Sequence, residues 1–112
     1  MSEQQEGRKY DAAKSRLDLV EPSWLTEVGH VLGHGATKYG VRNWKHVEPH
    51  RYHAAAMRHL LAIMAGEVYD PETGLSHAAH LACSAMFLHW QATSSTINPV
   101  GCTCEVCYAI TL

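Results

Sequence analysis

Gly66-Glu67-Val68-Tyr69-Asp70-Pro71-Glu72-Thr73-Gly74-Leu75-Ser76-His77-Ala78-Ala79-His80 is the stretch on which the reading of the fold turns. Pro71, Thr73 and Gly74 compose a tight turn, and Ser76 is suited to cap a helix that continues to about Trp90. Within that helix Leu81, Ser84 and Leu88 share a face with His77 and His80. Before the turn, the alanines at 54 to 56 favour a helix from about Arg51 to Gly66, whose apolar face is marked by Met57, Leu60, Leu61 and Met64. Earlier still, Pro22 and Ser23 open a helix with a Trp24, Leu25, Val28, Val31, Leu32 stripe, and Gly40 ends it. With three or four helices and no convincing strand, the expected fold is all-α, a small helical bundle with a non-helical, cysteine-containing tail. The organisation expected is a polar arm over 1–20, a helical catalytic domain over 21–92 and the tail over 93–112.

The 112 residues include 46% hydrophobic types and carry a formal charge of −2, which fits one small folded domain. All nine Lys and Arg lie at or before Arg58, giving residues 1–58 a net +2 and residues 59–112 a net −4. A basic half beside an acidic, histidine-rich half suits an anion and a cation sharing one site, as a phosphate ester with a divalent metal would. A pI near 6.5 and few clustered cations disfavour nucleic acid as a partner. No apolar run approaches the ~18–20 residues of a membrane span and the polar start lacks a signal-peptide core, so a cytoplasmic protein is expected. So small a chain buries a modest share of its surface, and a homodimer or homotetramer is therefore expected.

All nine histidines fall between His30 and His89. The densest chemical cluster is Glu67, Asp70 and Glu72 followed by His77 and His80. Helical spacing of three would turn Glu67 and Asp70 toward one cation and let His77 and His80 converge, with His59 on the preceding helix. Carboxylates suit Mg²⁺ or Mn²⁺, whereas imidazole favours transition metals. These groups could equally end a helix in solvent or be hydrogen-bonded core histidines. Glu27, His30, His34 and Lys38 fall on one polar face of the first helix, for which a solvated role is the plainer reading.

Lys38, Tyr39, Arg42, Asn43, Trp44 and Lys45 form a basic loop with cations for phosphate, flat rings for stacking and an amide for a base edge. Lys9, Lys14 and Arg16 add three cations in an arm that could reach over a phosphate site. Cys102, Cys104 and Cys107 resemble half of a structural zinc site, with Cys83, a histidine or another subunit's thiolate as a fourth ligand. Among rivals, an HD-type phosphohydrolase is disfavoured because no His-Asp dipeptide occurs. A non-catalytic, zinc-stabilised nucleotide-binding or regulatory module and a transition-metal sensor are the readings from other classes.

Taken in order, Lys9-Tyr10-Asp11-Ala12 with Lys14 and Arg16, Gly35-Ala36-Thr37-Lys38-Tyr39-Gly40 with Arg42-Asn43-Trp44, Arg58-His59-Leu60-Leu61-Ala62, and Gly66-Glu67 through Asp70-Pro71-Glu72, Gly74, His77 and His80 resemble the MazZ-type dATP/dGTP diphosphohydrolases. These are a branch of the MazG-like all-α nucleoside triphosphate pyrophosphohydrolases, and the resemblance covers roughly residues 9–90. It implies cleavage of a purine deoxynucleoside triphosphate to the monophosphate and pyrophosphate with Mg²⁺ or Mn²⁺, in dimers or dimers of dimers. In phage relatives this serves nucleotide-pool remodelling. The wider pattern has two carboxylate pairs; here Glu67 to Asp70 is the one match in the helical middle, and the later helix offers His77 and His80. The roles implied are Glu67, Asp70, and Glu72 or Glu27 as metal ligands, with His77, His80 and His59 as ligands or proton carriers. Lys38, Arg42 and Arg58 would neutralise the triphosphate, Trp44 or Tyr39 would stack on the purine, and Asn43 would read its edge.

Overall fold

The computed structural model describes residues 7–10 and 12–94, so the cysteines expected to bind zinc, Cys102, Cys104 and Cys107, lie outside the described residues. Three α-helices make up the architecture of the described residues: α1 over Pro22–Tyr39, α2 over Pro49–Met64 and α3 over His77–Thr93. Short 3₁₀ turns at Leu17–Leu19 and Asn43–His46 precede α1 and α2. The all-α expectation holds, and no helix among the described residues is long and apolar enough to cross a membrane.

Each helix boundary has a local cause. Pro22 and Pro49 stand in the first turns of α1 and α2, where a missing amide hydrogen costs nothing. Ser76 caps α3 by accepting the Ala79 amide at 3.0 Å through its Oγ. At the end of α2, Gly66 (φ 95°) donates to the Ile63 carbonyl at 2.9 Å and Glu67 donates to the Ala62 carbonyl at 2.9 Å. That crossed pair is a Schellman stop, and its left-handed residue favours glycine. It finishes the helix at Met64, so Glu67 and Asp70 are not helical and the expected i, i+3 alignment does not operate. The chain instead folds back: Asp70 donates to Leu75 at 2.8 Å, His77 donates to Val68 at 2.9 Å, and Tyr69 bridges Ser76.

Helix α3 packs on both α1 and α2, more extensively on α2. Its inner surface carries the core: Ala79 and Cys83 are buried against Val28 of α1, with Val31, Leu32, Ala82 and Phe87 packed around them. Of the α1 stripe, Trp24 and Leu25 remain exposed. Helix α2 corrects the expected burial. It turns Tyr52, Ala55, Ala56, His59 and Ala62 inward, while Met57 (61% exposed), Leu60, Leu61 and Met64 (73% exposed) face outward. Both faces have helical period, and the one with larger side chains is left uncovered in the single chain.

Cys83 directs its thiol at the Val28 carbonyl, 3.6 Å away, and burial pushes its pKa up to about 11. Its burial between α1 and α3 leaves it poorly placed as a fourth ligand for the tail. A thiol whose folded pKa lies above its unfolded value of 9.0 stabilises the fold below that value and loses the contribution as pH rises toward 11. Iodoacetamide at pH 8 is expected to leave Cys83 unmodified in the native chain and to label it in urea, scored by peptide mass spectrometry. Native labelling at the unfolded rate would contradict this burial.

Candidate active site

A cleft of about 810 Å³ opens where the end of α1, the loop after it, α2 and α3 meet. Its two ends differ in chemistry. His59 and His80 mark one end, with Asp70, Glu72 and Thr73; Tyr52 and Phe87, about two helical turns away along the same helices, mark the other, with Trp44 and Trp90, and Lys38, Tyr39, Arg42, Asn43 and His89 also line it.

The polar end is assembled by the folded-back segment after α2. Asp70 is pinned because its Oδ1 accepts the Glu72 amide at 2.7 Å, which leaves Oδ2 facing His59 Nδ1 at 3.9 Å and His80 Nε2 at 4.0 Å. Burial alone would raise the Asp70 carboxyl, yet the amides of Glu72 and Thr73 and the neighbouring His80 and His59 hold it below the usual carboxylate range. His59 and His80 stack with centroids 4.6 Å apart and planes within 11°. Burial pushes both imidazoles below their ordinary pKa; repulsion from His80 and His77 lowers His59 further, and repulsion from His77 and His34 lowers His80 against the opposing pull of Asp70, so neutral rings are favoured at pH 7.

His77 is 5% exposed and sits behind this pair. Its Nδ1 meets His59 Nδ1 at 2.9 Å, and its Nε2 meets Glu67 Oε1 at 2.6 Å. Thr73, which sequence reasoning did not single out, accepts the Leu75 amide at 3.2 Å and hydrogen-bonds His80 Nε2 at 2.7 Å through the same hydroxyl. The structure thus brings together Asp70, His59, His77 and His80, with Glu67 attached through His77. His59, Asp70 and His77 each offer one ligand atom, all within 4.8 Å of one another.

Other expected ligands are otherwise engaged. Glu27 spans from α1 to accept the Ser76 amide through Oε1, and that hydrogen bond is the main reason its carboxyl stays below the ordinary range. Glu72 is exposed and pairs with Lys38 at 3.4 Å. The depressed Glu27 pKa means that its link between α1 and α3 is present above the ordinary carboxylate range and is lost as pH falls through the lower folded value. Ser76 amide protection, read by hydrogen exchange, is expected to decline in acid in the parent chain and to be weak at every pH in Glu27→Ala. Equal protection in the variant would show that the contact is inconsequential.

Among the expected substrate-binding residues, Lys38, Tyr39, Arg42, Asn43 and Trp44 line the cleft. Arg42 occupies a left-handed conformation (φ 58°), unusual for a side chain of its size. Trp44 stacks on Phe87 at 4.7 Å, meets Trp90 edge-on at 5.4 Å and has Lys45 Nζ over its ring 5.6 Å from the centroid, so the protein itself engages the ring expected to stack on a purine. The Gln91 amide donates to the Val47 carbonyl at 2.7 Å and to that of Trp44 at 3.5 Å, anchoring the turn that carries Trp44 to α3. Arg58, Lys9, Lys14 and Arg16 are exposed and do not line the cleft. Arg16 forms a bidentate pair with Asp18 at 2.9 and 2.8 Å.

A family model described as dATP/dGTP diphosphohydrolase, N-terminal, matches residues 4–98, which include every helix of the described residues and the whole cleft. The chain belongs to this dATP/dGTP diphosphohydrolase N-terminal family. It is also 42% identical over 84 residues to a dATP/dGTP diphosphohydrolase of Salmonella phage PMBT28, a match covering 75% of this chain and 29% of that protein. The chain therefore corresponds to well under two thirds of the length of that relative. No solved structure matches it. For this family member, the cleft gathers part of the resemblance motifs: Lys38 to Trp44, His59, Asp70, Glu72 and His80 line it and His77 backs His59, whereas Lys9, Lys14, Arg16 and Arg58 stay outside it.

Proposed function

We propose that this chain hydrolyses dATP or dGTP to the monophosphate and pyrophosphate in a metal-dependent reaction within the 810 Å³ cleft. The observation that carries this reading is the cleft's division into an Asp70–histidine end and an aromatic end, with Lys38 and Arg42 among its lining residues. A triphosphate needs cation and metal at one end, and a purine needs flat apolar walls at the other. The phage relative's name gives the substrate class, and its phage setting favours a role in nucleotide-pool remodelling in the host cytoplasm.

In this scheme Lys38 exchanges Glu72 for a phosphate oxygen, and Arg42 offers a planar fork to the same group. Tyr39 packs on the base, with Trp44, held between Phe87 and Lys45, as a wall behind it, and Asn43 reads its edge. A divalent ion, Mg²⁺ or Mn²⁺, fits beside Asp70, whose carboxylate is kept ionised and whose Oδ2 faces the histidines. When bound it supplies Lewis-acid stabilisation and a water of lowered pKa. His80, stacked on His59 beside Asp70, would be the imidazole that holds or moves a proton there. The exposed Met57, Leu60, Leu61 and Met64 face of α2 supports assembly as a homo-oligomer.

Incubation of the chain with dATP, dGTP and the four ribonucleotides, with Mg²⁺ or Mn²⁺, tests the reading by chromatography of the products. Monophosphate and pyrophosphate in equal amounts from a purine deoxynucleotide are expected. Stoichiometric nucleotide binding without pyrophosphate would favour the zinc-stabilised regulatory module instead.

A further inference from the structure

We propose that His59, Asp70 and His77 form a mixed nitrogen–oxygen site for a first-row transition ion, with Glu67 acting behind His77 and outside the coordination sphere. The inference deepens the metal dependence proposed above by assigning ligands, ion class and the part played by Glu67, and it rests on that reading for its place in catalysis.

The proton inventory of His77 is the starting point. Its Nε2 lies 2.6 Å from Glu67 Oε1, and an ionised carboxylate can only accept. Nε2 is therefore the donor to Glu67, which leaves Nδ1 as the ring nitrogen turned toward His59. His77 Nδ1 lies 2.9 Å from His59 Nδ1, a second ring nitrogen, and Asp70 Oδ2 lies 3.9 Å from the latter. Two imidazole nitrogens and a carboxylate oxygen, all within 4.8 Å of one another, are a donor set for a cation. Metal–imidazole bonds of ~2.1 Å meeting near ~90° would place the two nitrogens ~3.0 Å apart, close to the separation found. A carboxylate on the distal nitrogen of a metal-binding histidine fixes its tautomer and raises its basicity, which is the arrangement of Glu67 on His77.

The surroundings favour the same assignment. His77 is buried, so its orientation is set by packing, while His59 and Asp70 line the cleft and leave open positions toward substrate. His80 is excluded because its Nε2 is held by Thr73 at 2.7 Å and its ring is stacked on His59. Glu27 is excluded by its bond to the Ser76 amide. Two imidazoles among three donors suit Mn²⁺, Fe²⁺, Co²⁺ or Zn²⁺ better than Mg²⁺, which prefers a shell of oxygens.

Mn²⁺ is the probe of choice, because the thiolates of the cysteine tail take this hard ion poorly. Electron spin echo spectroscopy of the 112-residue chain with Mn²⁺ is expected to show two directly bound imidazole nitrogens, and an excess of Mg²⁺ of about a hundredfold should not remove them. His59→Asn, at a half-buried position more tolerant than that of His77, should lose one nitrogen and weaken Mn²⁺ binding, with folding checked by circular dichroism. Glu67→Gln should keep both nitrogens and weaken binding by about 10–100-fold. Absence of nitrogen coupling in the parent chain, displacement by Mg²⁺, or unchanged binding in His59→Asn would overturn the proposal and identify the pair as histidines sharing a proton. Assaying dGTP hydrolysis on the same samples separates the two claims. Turnover with an oxygen-ligated ion removes this site and leaves the function, whereas nitrogen-bound Mn²⁺ without turnover removes the function and leaves the site.

Discussion

Asp70→Asn is expected to reduce turnover of dGTP by roughly 10³-fold, as loss of a principal electrostatic group in a catalytic site does, while leaving the chain folded. The side-chain oxygen of asparagine can still accept the Glu72 amide that Asp70 Oδ1 now holds at 2.7 Å, so the turn over 70–74 keeps its anchor. What disappears is the negative charge at Oδ2, the atom that faces His59 and His80. Steady-state kinetics with pyrophosphate detection measures the effect, and the melting temperature should stay within a few degrees. A variant retaining a tenth or more of parental kcat would remove Asp70 from the chemistry.

The second large effect is on stability. Ala79 is fully buried (0% exposed) on α3 between His77 and His80 in sequence, where α3 meets Val28 and its neighbours on α1. Replacing it with leucine forces three further carbons into a contact with no room for them, and overpacking of this kind costs ~1–3 kcal/mol. For a domain near the lower end of the ~5–15 kcal/mol range, that is a substantial fraction of the whole. Thermal unfolding of Ala79→Leu should begin ~10 °C below the parent, since ~1 kcal/mol moves the midpoint ~4–8 °C in a domain of this size. Ala79→Gly should be milder and act through helix propensity. An unshifted midpoint in the leucine variant would show that α1 is not packed as described.

The helices were legible because their signals are local. Pro22, Pro49 and Ser76 act within one turn, and Gly66 stops α2 through hydrogen bonds to residues three and five positions back. The direction in which α2 faces was not legible, since period-based reading favours the side with the larger apolar groups. Here Met57, Leu60, Leu61 and Met64 point outward, and a plainer row of Tyr52, alanines and His59 points inward. The site was half legible. Asp70, His77 and His80 stood out by density, and His59 was near enough in helical direction to be included. Glu27 at the Ser76 amide, Trp44 on Phe87 and Gln91 under the Asn43–His46 turn join residues more than forty positions apart, and no local pattern announces such contacts.

The stacked His59–His80 pair and buried His77 fill the space between α2 and α3 that apolar side chains would occupy in a bundle with a larger core. The groups expected to carry the reaction are therefore also the mortar of the helix pair. Selection on such a chain cannot adjust rate and robustness independently: a change that improves packing at these three positions removes chemistry, and a change that retunes the chemistry loosens the wall.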